Sequence, residues 1–240
     1  MDNNDTLIYN LSTVTSEDYP LQKIYTLNEN KHIEVKFYAS TYYEIERWQI
    51  KGIYKFFELL SVLSSLKKSA IVSGIGNKNT LKHSLKNSST LKEPEGGNNW
   101  LCIEVDNKKL PVGINQFSEE GIEYFINNCL PVCFHNITYC SQFSNSAGLS
   151  NEDDDFTHIS LDKDGKAKKT TVKDGLNVHL FFWLNQGVLN YQKKVWFEDY
   201  DDDVVDKKIF TPTMPIFTSE PKIEGIGIKS RITKRIGLVE

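Results

Sequence analysis

The chain has 240 residues, of which 39% are apolar, and it contains 13 Phe, 11 Tyr and 4 Trp. This content predicts a folded core and excludes disorder throughout. The net charge of −4 gives no global signature of a nucleic-acid binder, and no run of about 18 apolar residues predicts a membrane-spanning helix. Four cysteines without zinc-site spacing indicate free thiols in a reducing, cytoplasmic compartment.

The first part of the chain predicts a flexible leader over residues 1–20, followed by a hairpin. The hairpin joins Ile24–Leu27 to Ile33–Phe37. A helix is predicted from Lys51 to Leu66, because apolar residues recur there at helical spacing. These apolar positions are Ile53, Phe56, Phe57, Leu60, Leu63 and Leu66. A strand over 70–74 leads into a polar connection over 75–99. Its Lys-rich section at 78–92 is either a DNA-backbone contact or a solvated loop.

The second part alternates strands with short helices. A helix is predicted after Ser118, and an insertion over 150–175 with a hairpin tip at Asp162–Lys166. A short helix and an acidic loop are predicted over 186–200. Strands are predicted at Trp100–Asp106, Ile137–Phe143 and Leu176–Leu184.

Two carboxylates stand at alternate positions of the strand Trp100–Asp106. Side chains alternate between the two faces of a strand, so Glu104 and Asp106 project from the same face, opposite Leu101, Ile103 and Val105. Two adjacent negative charges are costly unless a cation lies between them, and a divalent ion with oxygen ligands is the usual solution. The alternative is an exposed sheet face with two solvated acids.

Other chemically capable residues follow the Glu-x-Asp strand. A Ser-x-Ser turn carries Ser144 and Ser146, a buried strand carries Asn177 and His179, and Asp206 follows two valines. Three acids from separate strands would be able to hold two divalent ions, which stabilise both oxygens of an in-line phosphoryl displacement. Serine hydroxyls and backbone N–H groups at a turn are able to bind a triphosphate.

The order of these motifs resembles a known family. Ile103-Glu104-Val105-Asp106 runs into Lys109-Leu110-Pro111, and Leu130-Pro131 and Phe134-His135 precede the Ser144–Leu149 turn. Val178–Leu184, Val205-Asp206 and Phe217–Pro221 then follow, with Arg231 or Arg235 in a trailing Arg-Gly position. This series resembles the primase-polymerase domain of the archaeo-eukaryotic primase superfamily, in the branch encoded by phages, plasmids and integrated elements.

The resemblance implies an α+β fold and one catalytic domain over residues 21–240. Residues 21–99 would form an N-terminal α/β part. Residues 100–240 would form a mixed, largely antiparallel, RRM-like catalytic sheet flanked by helices.

The resemblance also implies a DNA primase-polymerase that transfers nucleotides from NTP or dNTP. Glu104, Asp106 and Asp206 would be catalytic and would bind Mg²⁺ or Mn²⁺. The residues implied in nucleotide binding are Ser144, Ser146, Asn177, His179, Arg231 and Arg235. The partners would be a single-stranded DNA template with its primer and a replicative helicase of the same element, with no membrane.

Two other functions stay open. Glu104 stands where the family has Asp, and the surface is acidic, which favours a catalytically degenerate relative that binds nucleic acid or nucleotide in replication initiation or defence. A different two-metal enzyme, such as a nuclease, is the third hypothesis.

Overall fold

The computed structural model describes residues 9–37, 40, 42–76, 91–162, 164–201 and 204–240 of the protein. The elements of the first half are β1 Tyr9–Ser16, β2 Ile24–Leu27, β3 Ile33–Lys36, β4 Tyr43–Ile50, α1 Gly52–Ser65, β5 Ser69–Val72, β6 Ile75–Gly76, β7 Leu91–Lys92 and β8 Asn98–Lys108. The others are α2 Glu119–Cys129, β9 Tyr139–Phe143, β10 Leu149–Asn151, β11 Thr157–Leu161, β12 Ala167–Val172, β13 Leu176–Val188, α3 Asn190–Trp196, β14 Ile216–Phe217, β15 Lys222–Ile223, β16 Ile228–Ser230 and β17 Ile236–Val239. The α+β class predicted from the sequence is confirmed.

An antiparallel sheet in the order β14-β5-β1-β4 contains a strand that the sequence analysis did not predict. The prediction of a flexible leader over residues 1–20 is wrong for residues 9–16, because they form β1 in the middle of this sheet. The strand buries Ser12 and Thr13 as well as Leu11 and Val14. A strand buried on both faces shows no alternation of polar and apolar residues, and its hydroxyl residues resemble a loop.

A five-stranded sheet in the order β12-β11-β3-β2-β15 contains the predicted β2–β3 hairpin. The segment 150–175, predicted as an insertion, contributes the antiparallel pair β11–β12 around the predicted tip at Asp162–Lys166. However, β11 pairs in parallel with β3, so the segment is an integral part of this sheet. Lys173 directly follows β12, and its backbone N–H donates to the Phe156 carbonyl at 2.9 Å.

A four-stranded antiparallel sheet in the order β17-β9-β13-β8 forms the centre of the fold. Since β8 and β9 are both antiparallel to β13, they run parallel to each other with β13 between them. Helix α2 connects them, as in a split β-α-β unit. Helix α1 covers part of one face, where Phe56 packs against Phe181 at 5.1 Å between ring centroids. The other face meets Phe134, whose ring lies 4.8 Å from that of Phe182.

The boundaries of several elements differ from the predictions. Helix α1 ends at Ser65, and Leu66, which was predicted on its apolar face, is exposed. Leu59, which was not predicted there, is buried. Strand β13 continues to Val188, and the helix predicted within 186–200 therefore begins only at Asn190. Within the described parts of the chain, the structure contains no helix with the length and apolarity needed to cross a membrane.

The ammonium of Lys193 is buried beneath α3, with 3% of the residue exposed, and donates a hydrogen bond of 3.0 Å to the Trp100 carbonyl oxygen. Burial lowers the pKa of Lys193 from 10.5 to about 8. Above pH 8 the folded protein releases this proton, whereas the unfolded chain keeps it up to about pH 10.5. The unfolded state then binds more protons, so this group makes stability rise with pH across that window.

Comparison with Lys193→Met tests this linkage. Burial raises the pKa of thiols such as Cys140, which makes stability fall with pH above pH 9. This effect is the same in the wild-type protein and the variant, so it cancels in the comparison. We expect the unfolding free energy of the wild-type protein, relative to the variant, to rise by about 2 kcal/mol from pH 7 to pH 9.5. Urea unfolding at the two pH values measures this difference, and a constant difference would contradict it.

Candidate active site

Glu104 and Asp106 project from one face of β8, as predicted. Leu101, Ile103 and Val105 on the opposite face are at most 1% exposed. The side chains of Glu104 and Asp106 are 32% and 57% exposed. Both acids therefore reach solvent from a strand that the core holds firmly on its other side.

His179 lies opposite Glu104 on the neighbouring strand β13. Its Nε2 lies 3.4 Å from Glu104 Oε1, and its Nδ1 is buried without a hydrogen-bond partner among the described residues. Burial would raise the pKa of Glu104, but the hydrogen bond and charge of His179, together with Lys23 and Lys173, outweigh it and lower the pKa. Glu104 is thus held as an ionised carboxylate.

Asp206 meets Glu104 through the backbone. Its N–H donates to the Glu104 carbonyl oxygen at 3.1 Å, and fully buried Val205 anchors the preceding residue. Glu104 and Asp106 share β8, as predicted, but the prediction that Asp206 lies on a separate strand is wrong. Asp206 begins a 3₁₀ turn over Lys207–Ile209. Its carboxylate accepts a hydrogen bond of 2.9 Å from the backbone N–H of Lys208.

Two lysines that the sequence analysis did not single out lie beside these acids. Lys173 Nζ lies 2.5 Å from Asp106 Oδ1. Burial lowers the pKa of Lys23, and so does the charge of Lys173, whereas Glu104 and Asp106 raise it. Lone lysines give no signal in a sequence, because most are exposed surface residues. Lys23 directly precedes β2 and Lys173 directly follows β12, so the five-stranded sheet places both of them here.

The predicted serine turn follows β9 at the same end of the sheet as Asp106. Ser144 and Ser146 are partly exposed, with their hydroxyl oxygens 3.4 Å apart, and Asn145 between them is buried. Arg235 points inward and donates to the carbonyl oxygens of Ser144 at 2.8 Å and Ala147 at 3.2 Å. The guanidinium thereby braces the turn.

Asn177 and Arg231, also predicted to bind nucleotide, have other partners. The Asn177 amide accepts from the Asn107 backbone N–H at 3.0 Å and donates to the Gly175 carbonyl at 2.7 Å. Arg231 forms an ion pair of 2.9 Å with Asp154 and lies over the Phe156 ring. Nucleotide contact by these two residues stays a prediction.

The Lys-rich stretch predicted over 78–92 is described only in part, because residues 77–90 lie outside the described residues.

The chemistry of the acids suits a hard divalent cation. Carboxylate oxygens are the ligands that Mg²⁺ and Mn²⁺ prefer. Asp106 already binds one cation, because its carboxylate forms an ion pair with the Lys173 ammonium. Within the described ranges, no three His, Cys, Asp or Glu side chains are gathered in a metal-holding arrangement.

Comparisons with protein-family models, with curated proteins and with solved structures found no match to this chain.

Proposed function

We propose that the protein is a template-directed nucleotidyltransferase of the primase-polymerase type, with a fold of that family. The observation that carries the proposal is that His179 lies 3.4 Å from the Glu104 carboxylate, and that the Asp206 backbone is hydrogen-bonded to that of Glu104, two residues from Asp106. The serine turn lies at the same end of the sheet, because β8 and β9 run parallel. Carboxylates next to a phosphate-binding turn are what an in-line phosphoryl displacement needs.

Each group has a role that fits its surroundings. Glu104, Asp106 and Asp206 would hold Mg²⁺ or Mn²⁺, which supplies activation of a 3′-hydroxyl and neutralises the charge of the leaving pyrophosphate. The hydroxyls of Ser144 and Ser146 and the imidazole of His179 would bind the triphosphate of the incoming NTP or dNTP. Lys23 adds positive charge near Glu104 and Asp106, and Arg235 is a positioning residue that shapes the turn.

The fold supports this proposal without being specific to it. A split β-α-β sheet carries Glu104 and Asp106, and elements of the first half of the chain, such as α1, lie beside it. The function also implies a single-stranded DNA template with a primer and a replicative helicase of the same element. A reducing, cytoplasmic environment would suit the free thiols of the described cysteines.

One observation favours the degenerate relative as a second candidate. The Asp106 carboxylate is paired with Lys173, and a permanent ammonium there would replace the metal and leave only binding. In that case the protein would bind DNA or nucleotide without synthesis.

The test is a synthesis assay with a labelled nucleotide, a single-stranded template, and Mg²⁺ or Mn²⁺. We expect products whose sequence follows the template and whose formation requires a triphosphate. DNA binding without synthesis would instead support the degenerate relative, and DNA shortening without any triphosphate would support a nuclease.

A further inference from the structure

The loop after β12 is fixed firmly against β8 on both sides of Lys173. The Asn107 side chain donates to the Val172 carbonyl at 2.8 Å and accepts from the Gly175 N–H at 2.9 Å. Asn107 itself has a φ of 61°, and a Cβ on Gly175 would lie 2.6 Å from the Asn107 carbonyl. This close approach requires glycine at 175.

The side chain of Lys173 is directed from this loop into the site. It is only 17% exposed, although its partner Asp106 is 57% exposed. Its backbone N–H donates to the Phe156 carbonyl at 2.9 Å, which ties the loop to the five-stranded sheet as well. Because contacts to two sheets fix the backbone around Lys173, we infer that its ion pair with Asp106 is a built feature of the site.

The position of the ammonium has a consequence for cation binding. Lys173 Nζ forms an ion pair with one oxygen of the Asp106 carboxylate, which we propose as a metal ligand. An ammonium and a divalent ion are both attracted to that oxygen and repel each other at this distance. A metal bound at that oxygen would therefore release Lys173, and the fixed backbone would keep the released ammonium close to the same site.

We propose that Lys173 and the divalent cation compete for Asp106, and that the displaced ammonium then binds the triphosphate of the nucleotide. This inference rests on the proposed function and deepens it. Before metal binding, the Lys173 ammonium balances the negative charge of Asp106. After metal binding, the same ammonium contacts the nucleotide. Metal and nucleotide binding are then coupled through one side chain.

The experiment measures binding rather than synthesis, by calorimetric titration of the full chain with Mn²⁺ and then with a non-hydrolysable deoxynucleoside triphosphate in saturating Mn²⁺. The test variant is Lys173→Met. The matched control is Lys109→Met, because Lys109 forms an exposed ion pair with the neighbouring Asp174. Asp106→Asn identifies the binding that depends on this carboxylate, and circular dichroism checks that each variant is folded.

We expect opposite effects in the two titrations. Lys173→Met should bind Mn²⁺ about fivefold more tightly, because the competing ion pair is gone, and should bind the triphosphate about tenfold more weakly. Lys109→Met should change neither. Unchanged or weaker Mn²⁺ binding by Lys173→Met, with binding still lost in Asp106→Asn, would overturn the inference alone. Mn²⁺ binding that Asp106→Asn does not affect would overturn the metal site and the proposed function with it.

Discussion

Asp106→Asn is expected to reduce template-directed synthesis about a thousandfold. The substitution preserves size but removes the negative charge, and a metal ion contributes several kcal/mol to the stabilisation of transition-state charge. About 4 kcal/mol corresponds to a thousandfold in rate. Since the side chain is 57% exposed, the fold should tolerate the change. Rates of primer extension under saturating nucleotide measure the effect.

Asp206→Asn should cause a similar loss for the same reason. Asparagine is the better test than alanine, because its side-chain oxygen still accepts the backbone hydrogen bond from Lys208 and preserves the 3₁₀ turn. Asp153→Asn is the control, as that carboxylate is 67% exposed and pairs with Lys31 at 3.3 Å. If either active-site variant extends primers at the wild-type rate, the assignment of the catalytic acids is wrong.

Phe56→Ala is expected to lower the unfolding free energy by about 4 kcal/mol. Phe56 is 1% exposed, and its ring centroid lies 5.7 Å from that of Trp100 and 5.1 Å from that of Phe181. Phe56 is one of the residues through which α1 packs against β8 and β13, the two strands that carry Glu104 and His179. Typical domains are stable by about 5–15 kcal/mol, so this is a large part of the total. Chemical denaturation followed by tryptophan fluorescence measures it.

Val62→Ala on the same helix provides the comparison. Val62 is 56% exposed, and its truncation should change stability by no more than about 0.5 kcal/mol. A loss for Phe56→Ala as small as that of the control would show that α1 does not anchor the central sheet.

Sequence periodicity predicted the elements that have one buried face. Helix α1, the hairpin β2–β3 and strand β8 were all found near their expected positions, because each carries a regular apolar pattern. Strands β1 and β4 were missed for different reasons. Strand β1 buries hydroxyl residues, and β4 carries Glu44 and Glu46 on exposed positions, which resemble a surface segment.

The candidate site divides in the same way. Glu104, Asp106 and His179 were found because each lies in a recognisable apolar strand. Lys23 and Lys173 were not, since their role depends on contacts between residues that are far apart in the chain. The partner of a side chain, such as Asp154 for Arg231, also cannot be predicted from periodicity. The local sequence pattern predicts which face of a strand or helix a residue occupies. The residues that it contacts there depend on how distant parts of the chain pack together.

Strand β1 lies between β4 and β5, and this limits how the chain can be shortened. Removal of residues 9–16 would leave the backbone N–H and C=O groups along one side of each neighbour without partners. Such exposed strand edges recruit strands from other molecules. A version that begins at Pro20, where a leader would end, is therefore expected to self-associate into intermolecular β-sheet, whereas the natural hydroxyl-rich strand keeps the protein from doing so.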